Sequence, residues 1–214
     1  MTEQEWLDST EPEAMLNFLQ KLQLFSKRKQ RLFAVACCRR VWSLLTDERS
    51  RTAVEVAEKF ADGLVTGSAL VAARKRVRDV AKLEGGGGHL LAYAIRMTAA
   101  DDVLVIQVAW NTPPDDWPAT EKNTQRKHEQ SVLLRDIVGL HPFQPIAIEP
   151  SWQTSTVTAL ARGIYEEKVF DRLILVADSL MDSGCDNDEI LDHCRLPAEH
   201  VRGCWVVDGL LGLS

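Results

Sequence analysis

Cys185, His193, Cys194, His200 and Cys204 are the residues whose types and spacing come nearest to a chemical site. Zinc prefers a tetrahedron of thiolate sulfur and imidazole nitrogen, usually built from two close pairs. His200 and Cys204 stand four apart, the repeat of a helix face, and supply one pair; Cys185 with His193 or Cys194 supplies the other. The Cys-x2-Cys knuckle is missing, and adjacent His193 and Cys194 point in different directions on any helix. The competing reading is buried cysteines and histidines satisfied by backbone carbonyls, so the expectation is no cofactor, with zinc as the alternative.

A cysteine nucleophile with a histidine base is a second chemistry, because His200, Cys204 and Asp208 form one i, i+4 ladder if the segment is helical. A thiolate beside an imidazolium attacks only where it is accessible. Cys204 is followed by Trp205-Val206-Val207, which predicts burial. The five carboxylates between Asp182 and Asp192 lack the calcium-loop order with its central glycine and final glutamate, and read as caps and solvated surface. No Gly-x-Ser-x-Gly, dinucleotide fingerprint, HExxH or kinase motif occurs, and Gly85–Gly88 lacks phosphate-loop spacing.

Charge supplies another kind of site. The net charge of −6 conceals +4 over residues 1–100 and −10 over residues 101–214. Within the basic part, Arg74, Lys75, Arg76 and Arg78 make a run suited to a phosphate backbone, and a nucleic-acid partner is one expectation. No aromatic interleaves the run to stack on bases, so a solvated helix face explains it equally.

The elements that must carry these residues read as helices. Apolar residues recur at helical spacing through Met15–Leu22, Leu32–Leu45, Ala53–Ala61, Leu70–Val80, residues 89–110, 121–138, Val157–Tyr165, Leu173–Leu180, Ile190–Cys194 and Val201–Leu211. Caps are expected at Thr10 with Glu13, at Thr46-Asp47, at Thr154 or Ser155, and at Asp186 with Glu189. Gly63, Gly139 and Gly184 close helices. The fold class is therefore all-α, a multi-helix bundle or helical-hairpin array of about eight to ten helices in two lobes. Residues 1–84 form the basic lobe, 85–88 a glycine joint, and 89–214 the acidic lobe. A proline-rich strap at 140–153 is pinned by large side chains, of which Phe143 and Trp152 are the expected partner-binding positions.

No run approaches the roughly 18 apolar residues that span a bilayer. The acidic start, Glu3-Gln4-Glu5-Trp6, is unlike a secretory signal. The expectation is a cytoplasmic protein that does not enter membranes. Five cysteines, two of them adjacent at Cys37-Cys38, do not form a disulfide framework and are expected as reduced core fillers.

Several blocks carry a resemblance: Glu5-Trp6-Leu7, Arg31 to Trp42 with its Cys37-Cys38, Thr46 to Arg51, Leu134-Arg135-Asp136-Ile137 and His200 to Asp208. The chain resembles a large paralogous family of uncharacterised planctomycete bacterial proteins. The likeness covers both ends. Gly139-Leu140-His141-Pro142-Phe143 is longer than the family's Gly-Asn-Pro-Phe form, so His141 inherits no role. Members stand alone or beside other modules, which implies an interaction or regulatory part and no particular activity. The leading expectation is a helical interaction or adaptor protein without catalysis. A nucleic-acid-binding module, and a zinc-binding or cysteine-based enzyme centred on the C-terminal cluster, are the alternatives.

Overall fold

Periodicity and caps set the architecture. The computed structural model describes residues 1–83, 121–139, 142 and 146–213. Among these the chain forms ten α-helices and no strand, in agreement with the all-α expectation. They are α1 (Glu3–Asp8), α2 (Pro12–Leu22), α3 (Lys27–Arg40), α4 (Glu48–Ala61), α5 (Gly67–Leu83), α6 (Glu121–Val138), α7 (Ser155–Glu167), α8 (Leu173–Asp182), α9 (Asp188–Arg195) and α10 (Trp205–Leu211). Short 3-10 turns occur at Trp42–Leu44, Pro150–Trp152 and Phe170–Arg172.

The chain divides into two compact units. The first comprises residues 1 and 8–131, and the second residues 2–7 and 132–214; the division falls inside α6. The glycine joint expected at 85–88, the helix expected at 89–110 and Phe143 lie outside the described residues. Among the described residues no helix is long and apolar enough to cross a membrane.

Local chemistry explains most helix ends. Ser26 caps α3 by accepting from the backbone N–H of Lys29, Asp47 caps α4 by accepting from that of Arg49, and Thr154 caps α7 by accepting from that of Val157. Each such cap contributes about 1 kcal/mol. Gly63, Gly139 and Gly184 all take positive φ just after a helix, as their positions in the sequence predict. Two caps differ from expectation. The N-cap of α2 is Glu11, whose side chain makes no capping bond, so the Thr10 and Glu13 box does not form. Asn187, not Asp186, caps α9, accepting from the N–H of Ile190. A further correction bears on the site: the last helix begins at Trp205, and residues 200–204 form a turn in which Gly203 has φ +97°.

In the first unit α4 packs on both α3 and α5. Leu32, Phe33, Val35, Ala36, Cys37 and Cys38 are buried, and both cysteines are free thiols. Burial pushes the Cys37 thiol far above its ordinary range, which suits a core filler. Buried Glu58 is held bidentately by Arg39, at 3.1 and 2.6 Å, and the Arg39 guanidinium also lies over the Trp42 ring.

In the second unit α7 packs against α8 and α10, α8 against α9, and α9 against α10. Val157, Ala161, Leu173, Val176, Ala177, Leu180, Ile190, Val206 and Val207 fill its core. Trp6 of α1 is fully buried; its indole N–H donates to the Gly139 carbonyl at 3.2 Å, while Arg135 donates to the Trp6 carbonyl. Ile146 and Ile148 pack on the same core, so the described part of the strap is pinned by its apolar residues. Trp152 is buried there too, which makes it a packing residue and corrects its expected place on a partner surface.

Candidate functional site

Four ligand-type side chains converge in the second unit. Asp136 stands in the last turn of α6, His193 on α9, His200 in the turn after Pro197, and Cys204 immediately before α10. One ligand atom from each lies within 4.8 Å of all the others. Three of the five residues singled out from the sequence therefore meet, and the structure adds Asp136. Cys185 and Cys194 are buried free thiols outside this group of four.

Local structure fixes each position. Gly139 ends α6 with φ +104°, and a Cβ there would stand 3.6 Å from the Trp205 ring, so the end of α6 packs directly on that indole. Arg202 ties the 200–204 turn to the C-terminal end of α7: its guanidinium donates to the Tyr165 carbonyl at 3.2 Å and stacks over the Tyr165 ring. Cationic groups are favoured at a helix C-terminus, where carbonyls lack intrahelical partners. His200 and Cys204 meet because the chain turns at Gly203. The helical ladder expected for His200, Cys204 and Asp208 does not exist.

Asp136 is the hub. Its Oδ1 accepts from His200 Nδ1 at 2.6 Å and lies 3.3 Å from His193 Nε2, and its Oδ2 accepts from the Val201 N–H at 2.9 Å. Burial alone would raise the Asp136 carboxyl. Hydrogen bonds from His193 and His200 outweigh burial and hold it below the ordinary carboxylate value. It is a buried anion stabilised by three N–H groups.

The proton positions follow from the donors. An indole N–H can only donate, and Trp205 Nε1 stands 3.1 Å from His193 Nδ1, so that nitrogen must present a lone pair. The neutral His193 ring then carries its proton on Nε2, which faces both Asp136 Oδ1 and Cys204 Sγ, the latter at 3.2 Å. His200 gives its Nδ1 proton to Asp136, and its Nε2 is buried with no hydrogen-bond partner among the described residues.

These assignments decide what the corner can do. To act as a base for Cys204, His193 would need a lone pair on Nε2, where its proton sits. Cys204 itself is fully buried, and burial, then the Asp136 carboxylate, raise its thiol well above the ordinary range. A protonated thiol facing an N–H is not the arrangement of an activated nucleophile. Cys194 is likewise pushed up to about 12 by burial.

Asp136 was missed as a site residue because a single carboxylate in helical text reads as surface. The signal that could have found it is its place on the apolar stripe, between Leu133 and Ile137, both fully buried. The indole of Trp205 was expected as core, and its hydrogen bond leaves no mark in the sequence.

The basic run sits on α5, with Lys75, Arg76 and Arg78 exposed and Arg74 half-buried. Elsewhere in the second unit, α7, the 170–172 turn and α8 enclose an open groove of about 540 Å³. Ala159, Leu160, Gly163, Val169 and Leu175 are among its lining residues. No protein-family model matches the chain, and no curated protein or solved structure matches it either.

Proposed function

We propose that the second unit is a docking module, without chemistry of its own, for a basic segment of another protein anchored by apolar side chains. Gly163 is the observation that carries this reading. It lies inside α7, where glycine costs about 1 kcal/mol relative to alanine. A Cβ at that position would meet nothing within 4 Å, so packing among the described residues makes no demand for glycine. What the missing side chain leaves is room in the groove. Beside it, Leu175 and its neighbour Ile174 are 47% and 49% exposed, an unusual placing for adjacent large aliphatic residues on one helix.

Charge argues for the chemistry of the partner. The second unit carries 6 Lys and Arg against 15 Asp and Glu, a net −9. Exposed Asp178 and Asp182 continue the Ile174 and Leu175 face of α8 one and two turns on. An amphipathic helix laid in a groove is read at such i, i+4 positions, with its basic residues over the acidic rim. The protonated, buried state of Cys204 supports the absence of cysteine chemistry in this reading.

The test is site-specific photo-cross-linking in cells, with the reactive residue at position 175 and, as a control on the same unit, at exposed Glu189. A partner adduct specific to position 175 is expected, weakening with salt and falling at least tenfold with Gly163→Leu, which fills the groove. Equal adducts from both positions, or an adduct indifferent to Gly163→Leu, would overturn the reading.

Exposed Lys75, Arg76 and Arg78 support a second reading, nucleic-acid contact by α5. It calls for binding that falls steeply with salt, and its absence at low salt removes it.

A further inference from the structure

Among the described residues, the Asp136 corner is the only group of this kind to combine a carboxylate, two imidazoles and a thiol. Two features of its geometry point to a ligand. His200 Nδ1 stands 2.6 Å from Asp136 Oδ1 in side chains at most 5% exposed, so two ligand-type atoms face each other out of solvent. Cys204, fully buried, brings a sulfur to the same place, within 4.8 Å of the Asp136 and His200 ligand atoms. A buried carboxylate next to a thiol is an arrangement that a divalent cation would turn from repulsive to attractive.

We propose that Asp136, His200 and Cys204 form a binding site for a divalent metal ion of the zinc class. The donor set is one carboxylate oxygen, one imidazole nitrogen and one sulfur. Such a set suits zinc and excludes calcium and magnesium, which take oxygen ligands. On binding, the Cys204 S–H bond breaks, its proton leaves to solvent, and a sulfur–metal bond forms. Carboxylate and thiolate together balance the charge of the ion, so the buried corner becomes neutral. His200 enters as a neutral ring that coordinates through Nδ1, the nitrogen facing Asp136, with its proton moved to Nε2.

His193 is not a ligand. A ring coordinated through Nε2 carries its proton on Nδ1, where it would meet the Trp205 N–H donor head on. Its Nε2–H, 3.2 Å from Cys204 Sγ, instead donates to the sulfur once that is a thiolate, the supporting role that outer groups play around metal sites. Zinc bonds of about 2.0–2.3 Å place tetrahedral ligand atoms roughly 3.3–3.7 Å apart. The ligand atoms, within 4.8 Å of one another, need adjust by on the order of 1 Å.

The experiment is titration of metal-stripped full-length protein with Co2+, followed by zinc K-edge absorption on the zinc-loaded protein. Expected are one Co2+ per chain, a thiolate-to-cobalt charge-transfer band, visible bands of tetrahedral intensity, and a zinc shell with a single sulfur. Cys204→Ser and His200→Ala should each abolish the charge-transfer band, while Cys185→Ser and Cys194→Ser leave it intact. His193→Gln, which keeps a donor, should retain the stoichiometry. If the first two variants do not fold, the wild-type shell still decides. No charge-transfer band, a shell with no sulfur or with two, or a band lost with Cys185→Ser or Cys194→Ser would each overturn the site.

Discussion

At the Asp136 corner, oxygen, nitrogen and sulfur atoms from four elements stand 2.6–3.3 Å from their neighbours, and the side chains of Asp136 and His200 are at most 5% exposed. Along the groove of the same unit, Leu160 and Val169 are half-buried, Leu175 is exposed, and Gly163 has open space where a Cβ would stand. The first region spends polar groups inside the protein, where each must be matched. The second leaves apolar groups outside, where nothing among the described residues of the unit matches them. Buried polar groups are costly when a partner is lost, so the corner is expected to govern stability. The groove is free to vary without unfolding the unit, which is the freedom a recognition surface needs.

The sharpest way to break that contrast is to remove the hub. Asp136→Ala strands the Val201 N–H and the donors of His193 and His200 in a buried pocket, and is expected to destabilise the second unit by about 3–5 kcal/mol, the usual effect of breaking a buried pair. Denaturant melts of the variant against the wild type measure it. The Glu58–Arg39 pair of the first unit gives the scale: Arg39 is 32% exposed and can be rehydrated, so Glu58→Gln is expected to cost about 1–2 kcal/mol.

Acid tests the same group without mutation. An unfolded aspartate titrates at about 3.9, and folded Asp136 is held below its ordinary value. The folded state therefore binds fewer protons than the unfolded chain across this range. The contribution of Asp136 is complete above the unfolded pKa and is lost as pH falls through the depressed folded value. Hydrogen exchange at the backbone amides of α10, followed downward from pH 5, should show protection weakening only below about pH 4. Loss of protection already at pH 5 would show that Asp136 is not the group being titrated.

The fold was legible because its signals are local. Ser26, Asp47 and Thr154 cap helices within three residues of themselves, and Gly63, Gly139 and Gly184 end them with a backbone geometry that needs no distant partner. The site was only partly legible because its geometry is not local. His193, His200 and Cys204 drew notice by residue type. Their link is Asp136, at least 57 positions away in the chain, and a Trp205 N–H whose direction no periodicity encodes. The reading of His200 and Cys204 as helical neighbours failed at Gly203, where φ of +97° turns the chain before α10 begins. The capping reading of Asp186 was off by one because Asn187 competes for the same role with equal chemistry.

Two glycines inside helices carry the comparison to its finest scale. At Gly209 of α10 a Cβ would lie 2.8 Å from Ile148 Cγ1, closer than carbon atoms pack, so the strap reaches the helix only because that side chain is missing. Gly209→Ala should displace Ile148 and, even with the helix-propensity gain, destabilise the unit by about 1–2 kcal/mol. Gly163→Ala should do the opposite. Its Cβ meets nothing, its backbone is ordinary helix, and replacing glycine there is worth about 0.5–1 kcal/mol of added stability. Paired thermal melts of the two variants read the signs directly. If Gly163→Ala stabilises the protein yet weakens the adduct at position 175, glycine at 163 serves what the groove receives, and the helix that carries it would be better off without it. If it destabilises, α7 needs the glycine for its own packing, and the groove loses its main claim to be a surface kept open.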